Sequence, residues 1–270
     1  MTELIRELLS YDFLIRAAAV GAAVSLCSSL LGVVLVLKRY SMIGDGLSHV
    51  GFGALAVALA MGAQPLYLSI PVISVAAVVL LKITSESGIN GDAAIGLLAT
   101  SGLAVGVTAL SAVRGVNADV AGYMFGSVLA MSQSDVLLSA AVSAAVLFRF
   151  VVCYNRIFAV TFDEDFAKAS GLNTGLYNTM TALLTGLTIA VGMRLMGAML
   201  ISGLLIFPAL TSMRCFTSFR SVVISAAFVS ITSFIIGLLL SYIFSIPAGA
   251  SIVLANMAFF ALFAIIGALR

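Results

Sequence analysis

The chain has 270 residues, 62% of them hydrophobic and only 9% charged, so it carries too little polar surface to cover a water-soluble globule. Its 13 basic and 11 acidic residues are spread without any cluster that could track a phosphate backbone, which argues against nucleic acid as a partner. Cys27, Cys153 and Cys215 lie far apart without CxxC spacing, which suggests neither a disulfide framework nor a thiolate metal site, and they read as small packing residues.

The first twelve residues, MTELIRELLSYD, hold no apolar core long enough for a cleavable signal, so the N-terminus is expected to be retained. From Phe13 onward, apolar runs of spanning length follow one another, and they are apolar all round rather than alternating as barrel strands do. The fold class is therefore all-α: a polytopic membrane helix bundle of eight or nine spans, forming a single membrane domain over residues 1–270. The spans are placed at about 13–37, 43–62, 66–84, 92–112, 134–153, 176–193, 195–213, 219–243 and 249–269. Near Arg194 two spans meet without a proper loop, and one long broken helix there would reduce the number to eight. With the N-terminus outside, the inner loops carry Lys38, Arg39, Lys82, Arg149, Arg156, Lys168, Arg214, Arg220 and Arg270, against Arg6, Arg16, Arg114 and Arg194 outside. That asymmetry favours an outer N-terminus and an inner C-terminus.

Two connecting segments stand apart from ordinary loops. Residues 121–131 are apolar but too short to cross, which fits either a re-entrant helix or surface packing. The segment from Thr161 to Gly171 reads as a short helix outside the membrane. Thr161 and Glu164 have capping-box spacing, Asp163, Glu164 and Asp165 crowd the first turn, Lys168 sits in the last, and Gly171 can end it. Phe162 and Phe166, four apart, would present two aromatics either to a partner's groove or to the bundle itself.

The second span opens with RYSMIGDGLSH, residues 39–49. Asp45 and His49 are four apart, so on a helix they stand one turn above each other, with Ser41 a turn before. An ionised carboxylate at membrane depth costs about 2.5–3.5 kcal/mol on insertion scales, so it should face a partner or a watery path. A carboxylate beside a neutral imidazole is a workable ligand pair for zinc, manganese or iron; a structural hydrogen bond and a proton relay are the other readings. Two ligands are too few for a tight structural site, and water, Ser48, backbone carbonyls or a second copy of the chain would complete the shell. Pro208 removes a helix hydrogen bond in the seventh span, marking either a simple kink or the edge of a path. No GxxxxGK[ST] loop surrounds Lys38, Lys82 or Lys168, so the chain itself does not bind ATP through such a motif. One histidine cannot supply an HExxH zinc-protease site.

The sequence resembles the integral permeases of bacterial zinc, manganese and iron ABC importers, the ABC-3 family. The resemblance covers nearly the whole chain and rests on six segments in order: residues 41–49 (SMIGDGLSH) after Lys38 and Arg39, 92–96 (DAAIG), 125–127 (FGS), 162–171 (FDEDFAKASG), 197–208 (GAMLISGLLIFP) and 241–249 (SYIFSIPAG). It implies a multi-pass protein of the bacterial inner membrane and a pair of permeases above two cytoplasmic ATP-binding cassette subunits. An extracytoplasmic metal-binding protein would deliver Zn2+, Mn2+ or Fe2+, with ATP held by the partner subunit and no permanently bound cofactor. Asp45 and His49 match the family's proposed ion-contacting pair. The cytoplasmic helix, with Phe162, Asp163, Glu164, Asp165, Phe166, Ala167, Lys168 and Gly171, matches the element that passes ATPase motion to the membrane helices. Many relatives have proline where Glu164 stands, and the histidine-rich loop of some zinc systems is missing.

Overall fold

A computed structural model describes residues 12–86, 88–112 and 133–269. The elements among them are all helices: α1 Asp12–Leu37, α2 Ile43–Ala60, α3 Pro65–Glu86, α4 Gly91–Ala112, α5 Gln133–Val152, α6 Tyr154–Phe162, α7 Glu164–Ala169, α8 Thr174–Met196, α9 Ala198–Cys215, α10 Phe219–Phe244 and α11 Ala248–Ala268. Nine of these are long and apolar enough to cross a membrane, which makes the chain a multi-pass membrane protein. Each expected span is present with its ends moved by no more than three residues. Residues 121–131 lie outside the described residues.

The bundle is organised around α1 and α2. Each has 72% of its spanning stretch buried, against 17% for α4, so the first two spans are inner helices and α4 is peripheral. α1 packs against α9, α10, α5 and α8, while α2 is held by α4, α3, α9 and α8. Without a hydrophobic drive between helices in lipid, close approach through small residues must supply the packing. The clearest case is the crossing of α2 and α4. A Cβ at Gly53 would lie 2.4 Å from the Gly102 carbonyl oxygen, and one at Gly102 would lie 2.6 Å from Val50 Cα. Backbone meets backbone there, and only glycine at both positions permits it.

The junction near Arg194 is a true break. Gly197 adopts φ 88° and ψ 160°, a conformation closed to residues with a Cβ, and it separates α8 from α9. Arg194, in the last turn of α8, reaches across to Asp135 in the first turn of α5, with Nη2 at 3.0 Å from a carboxylate that is 6% exposed. This joins two helices at the end of the bundle opposite to Lys38. Breaking a fully buried pair costs about 3–5 kcal/mol; Arg194 is a third exposed, so Arg194→Met is expected to lower stability by about 2 kcal/mol, read as an earlier unfolding midpoint in detergent. Pro208 does not interrupt the chain: α9 runs through it from Ala198 to Cys215, with Pro208 buried.

Candidate functional site

α2 begins immediately after a tight, internally bonded turn. Lys38 directly follows the last turn of α1, and Arg39 takes a left-handed φ of 64°. The Arg39 N–H bonds the Val36 carbonyl at 3.1 Å and the Tyr40 N–H bonds the Leu35 carbonyl at 2.8 Å, which together form a Schellman motif. The Ile43 N–H then bonds the Tyr40 carbonyl at 3.1 Å, so the new helix starts with no slack. Ser41 lies in this turn, before the helix, rather than one helical turn below Asp45.

Asp45 stands in the first turn of α2 and His49 one turn later, with Asp45 Oδ2 at 3.7 Å from His49 Nε2. That separation is too long for a hydrogen bond between them. Their side chains are 48% and 25% exposed, on a helix where Gly44, Gly46, Leu47, Ser48, Val50 and Gly51 are all buried. Over residues 43–56 of this helix, Asp45, His49 and, a turn further, Phe52 are the partly exposed positions, and they fall on one face. Gly44 sets the first turn against Leu205 and Ser202 of α9, and Gly46 sets it against Ile95 of α4. The pair is held in place by packing on both sides while its own face stays free.

Ser48 does not share that face. It is 1% exposed, and its hydroxyl donates to the Gly44 carbonyl at 2.6 Å, so the side chain is turned into its own helix. Among the described residues no group of three or more histidine, cysteine or acidic side chains is close enough to hold a metal ion. Asp45 and His49 thus place a carboxylate oxygen and an imidazole nitrogen 3.7 Å apart, side by side.

The expected short helix exists, but it starts two residues later than its capping box suggests. Its N-cap is Asp163, whose Oδ1 accepts from the Phe166 N–H at 2.8 Å. Thr161 belongs to the preceding helix α6 and bonds the Ile157 carbonyl at 2.6 Å, so its hydroxyl is not free to cap. Asp163 is extended, with φ −146° and ψ 93°, and it separates Phe162 on α6 from Phe166 on α7. The two aromatics therefore do not share one continuous helical face, because i, i+4 spacing places side chains together only along an unbroken helix. Both are nevertheless exposed, and Phe162 rests against Phe158 and Phe219 at ring separations of 4.9 and 6.0 Å. Asp165 lies in the first turn and Lys168 in the last. Ala167 is the anchor, buried with Tyr177, Val160 and Ile157. Gly171, at φ 82°, ends the element with a second Schellman pair, Gly171 to Lys168 and Leu172 to Ala167.

Sequence reasoning missed two features here. One is α6, whose nine residues are too short to register as a span. The other is the partner of Glu164: its Oε2 receives Lys38 Nζ at 3.2 Å and its Oε1 receives Asn178 Nδ2 at 2.7 Å, while Lys38 also donates to Asn178 Oδ1. Nothing in the local sequence of any of the three signals that contact.

The architecture recurs in known proteins. The chain is 28% identical in sequence to a chain of the solved PsaBC from Streptococcus pneumoniae in complex with Fab, with a TM-score of 0.84, covering 97% of this chain and 94% of that one. It is 30% identical over 253 residues to the high-affinity zinc uptake system membrane protein ZnuB of Haemophilus influenzae, covering 93% of this chain and 97% of that protein. It is 27% identical over 256 residues to the manganese transport system membrane protein MntC of Halalkalibacterium halodurans, covering 95% and 88% respectively. The model of the ABC 3 transport family matches residues 10–267, nearly the full bundle, and the chain belongs to that family.

Proposed function

We propose that this protein is the membrane permease subunit of an ATP-driven importer for a divalent transition metal ion, zinc first, with manganese and iron accepted by the same ligand chemistry. The observation that carries the reading is the Asp45 and His49 pair, standing partly exposed on the first turns of a helix whose flanking positions pack against α4 and α9. A half-exposed carboxylate beside an imidazole can meet a cation or water, and a two-donor shell binds an ion that must leave again. The names of the relatives, one a zinc and one a manganese system, fit the same ligand set.

In this reading the protein sits in the bacterial inner membrane. The end bearing Lys38 and α7 faces the cytoplasm, where α7 with its exposed Phe166 meets a separate ATP-binding cassette subunit. A metal-binding protein delivers the ion at the opposite end. A second copy of the chain flanks the path on the α4 side, where Thr100 and Thr108 satisfy their hydroxyls on the carbonyls of Gly96 and Ala104 and leave a smooth outer face. Transport proceeds by alternating access: the outward-open pair takes a partly dehydrated ion, Asp45 and His49 contact it in passing, and ATP-driven closure opens the inner side.

The test is reconstitution with the cognate ATPase and binding protein in liposomes, measuring uptake of zinc and of manganese with and without ATP. ATP-dependent accumulation of either metal is the expected result and names the preferred ion. Accumulation by the chain alone under a proton gradient would instead make the pair a proton relay.

A further inference from the structure

We propose that the ring of hydrogen bonds among Lys38, Glu164 and Asn178 is the link that carries motion of α7 to the Asp45 and His49 pair, which makes Lys38 and Asn178 positioning residues of transport. The proposal rests on the permease reading above and adds the route by which the force travels.

Each of the three side chains bonds both of the others. Lys38 Nζ donates to Glu164 Oε2 at 3.2 Å and to Asn178 Oδ1, and Asn178 Nδ2 donates to Glu164 Oε1 at 2.7 Å. Glu164 is the first residue of α7, Asn178 lies near the start of α8, and Lys38 directly follows α1. Three segments distant in sequence are thereby tied at one point. Exposed ion pairs contribute little to stability, and Glu164 is half exposed, so the ring is a poor staple for the fold as a whole. Its value lies in what it connects.

On the Lys38 side the connection is stiff. The turn from Lys38 to Ile43 is closed by the Schellman bonds at Arg39 and Tyr40 and by the bond from the Ile43 N–H to the Tyr40 carbonyl. The Tyr40 hydroxyl is also tied to Thr84 Oγ1 of α3 at 3.0 Å. A displacement of Lys38 therefore cannot be absorbed by loop flexibility and reaches the first turn of α2, which carries Asp45.

On the inner side of the same turn there is room to move. A cavity of about 30 Å³ is lined by Lys38, Asn178, Tyr40, Ile43, Leu80 and Ala182, among others. Close-packed interiors transmit strain, and a void beside the rigid turn leaves its lining with fewer contacts to hold it in place. Two members of the ring, Lys38 and Asn178, line that void together with Tyr40 and Ile43 of the turn. Pulling on Glu164 through α7 would draw Lys38 and the start of α2 together, altering where the pair sits relative to α4 and α9.

The experiment measures metal ions accumulated per ATP hydrolysed by the assembled importer in liposomes. Its panel is the wild type, Lys38→Met, Glu164→Gln, their double variant and the charge swap Lys38→Glu with Glu164→Lys. Each single substitution is expected to lower the ratio roughly fivefold, the upper range for a partly exposed pair. The double variant should fall no lower than the worse single, since both remove the same contact. The swap should recover most of the loss, because the Asn178 amide can flip to offer its oxygen to a lysine and its nitrogen to a carboxylate in the exchanged positions. Single variants at the wild-type ratio, or a double variant that multiplies the two losses, would overturn the link. Asn178→Leu leaves both charges in place and guards against a folding defect at Lys38; it removes two hydrogen bonds to charged partners at a partly exposed site, so a loss of about fivefold is expected, and an unchanged ratio would count against the ring. A wild-type complex without ATP-dependent uptake would remove the permease reading itself, whereas a coupled wild type with unaffected variants removes only the link.

Discussion

Replacing Asp45 by Asn and His49 by Ala together is expected to cut ATP-driven metal uptake by more than about a hundredfold, while the protein still accumulates in the membrane. Substituting groups that merely orient metal ligands already costs about 10–100-fold in affinity or activity, and these two are the proposed ligands themselves. The protein should tolerate the change. Asp45 is half exposed, His49 is a quarter exposed, and at 3.7 Å the two do not hydrogen bond each other, so neither anchors the packing of α2. Single substitutions should fall between wild type and the double variant, because one remaining donor plus water still offers a partial shell. The check is uptake of radiolabelled zinc and manganese in liposomes, normalised to inserted protein. Wild-type uptake by the double variant would show that the ion travels without touching this pair.

The second large effect concerns stability. Gly53→Ala is expected to destabilise the bundle by about 2–3 kcal/mol, the upper range for inserting a methyl group into a well-packed site. The added Cβ would meet the Gly102 carbonyl oxygen at 2.4 Å, and that atom is backbone, which cannot rotate out of the way. α2 and α4 must then separate. Gly102→Ala should cost a similar amount, since its Cβ would press on Val50 Cα and the His49 carbonyl, and the two substitutions should not add, because either one already opens the crossing. Gly96→Ala on the same α4 provides the contrast. Nothing lies within 4 Å of its added Cβ, so it should be neutral or gain a few tenths of a kcal/mol from helix propensity. Thermal unfolding in detergent measures all three. A Gly53→Ala protein as stable as Gly96→Ala would mean that α2 and α4 do not cross at this distance.

The two effects meet at one place. A Cβ on Gly102 would lie 2.8 Å from the His49 carbonyl oxygen, so the crossing that holds α4 to α2 lies at the backbone that carries the imidazole. A Gly102→Ala protein that survives in detergent should therefore also transport less metal.

Much of this was legible in the residues alone. The order and length of the nine spans follow from hydropathy, because crossing a bilayer requires about 20 apolar residues, a constraint written locally in each run. The pairing of Asp45 with His49 is likewise local, four residues apart on one helix. So is the stop at Gly171, whose left-handed φ suits glycine.

Tertiary structure decided the rest. Thr161 satisfies the pattern of a capping box, yet the chain before it is helical in α6, and a hydroxyl already bonded to the Ile157 carbonyl cannot cap. Whether Arg194 lay in one long helix or at a break turned on Gly197 and on a carboxylate 59 positions earlier in the chain, Asp135. The ring at Lys38 joins residues 126 and 140 positions apart. The physical reason is common to all of these. In water, a helix advertises its packed face by keeping polar residues off it; in lipid, both faces are apolar, and hydropathy records that a segment crosses without recording which side meets a neighbour. Sequence alone determined that this chain is a set of membrane helices carrying one carboxylate and imidazole pair. Only the packing of glycine against backbone decided that the pair stands on the open side of a buried helix, one rigid turn away from the segment proposed to drive it.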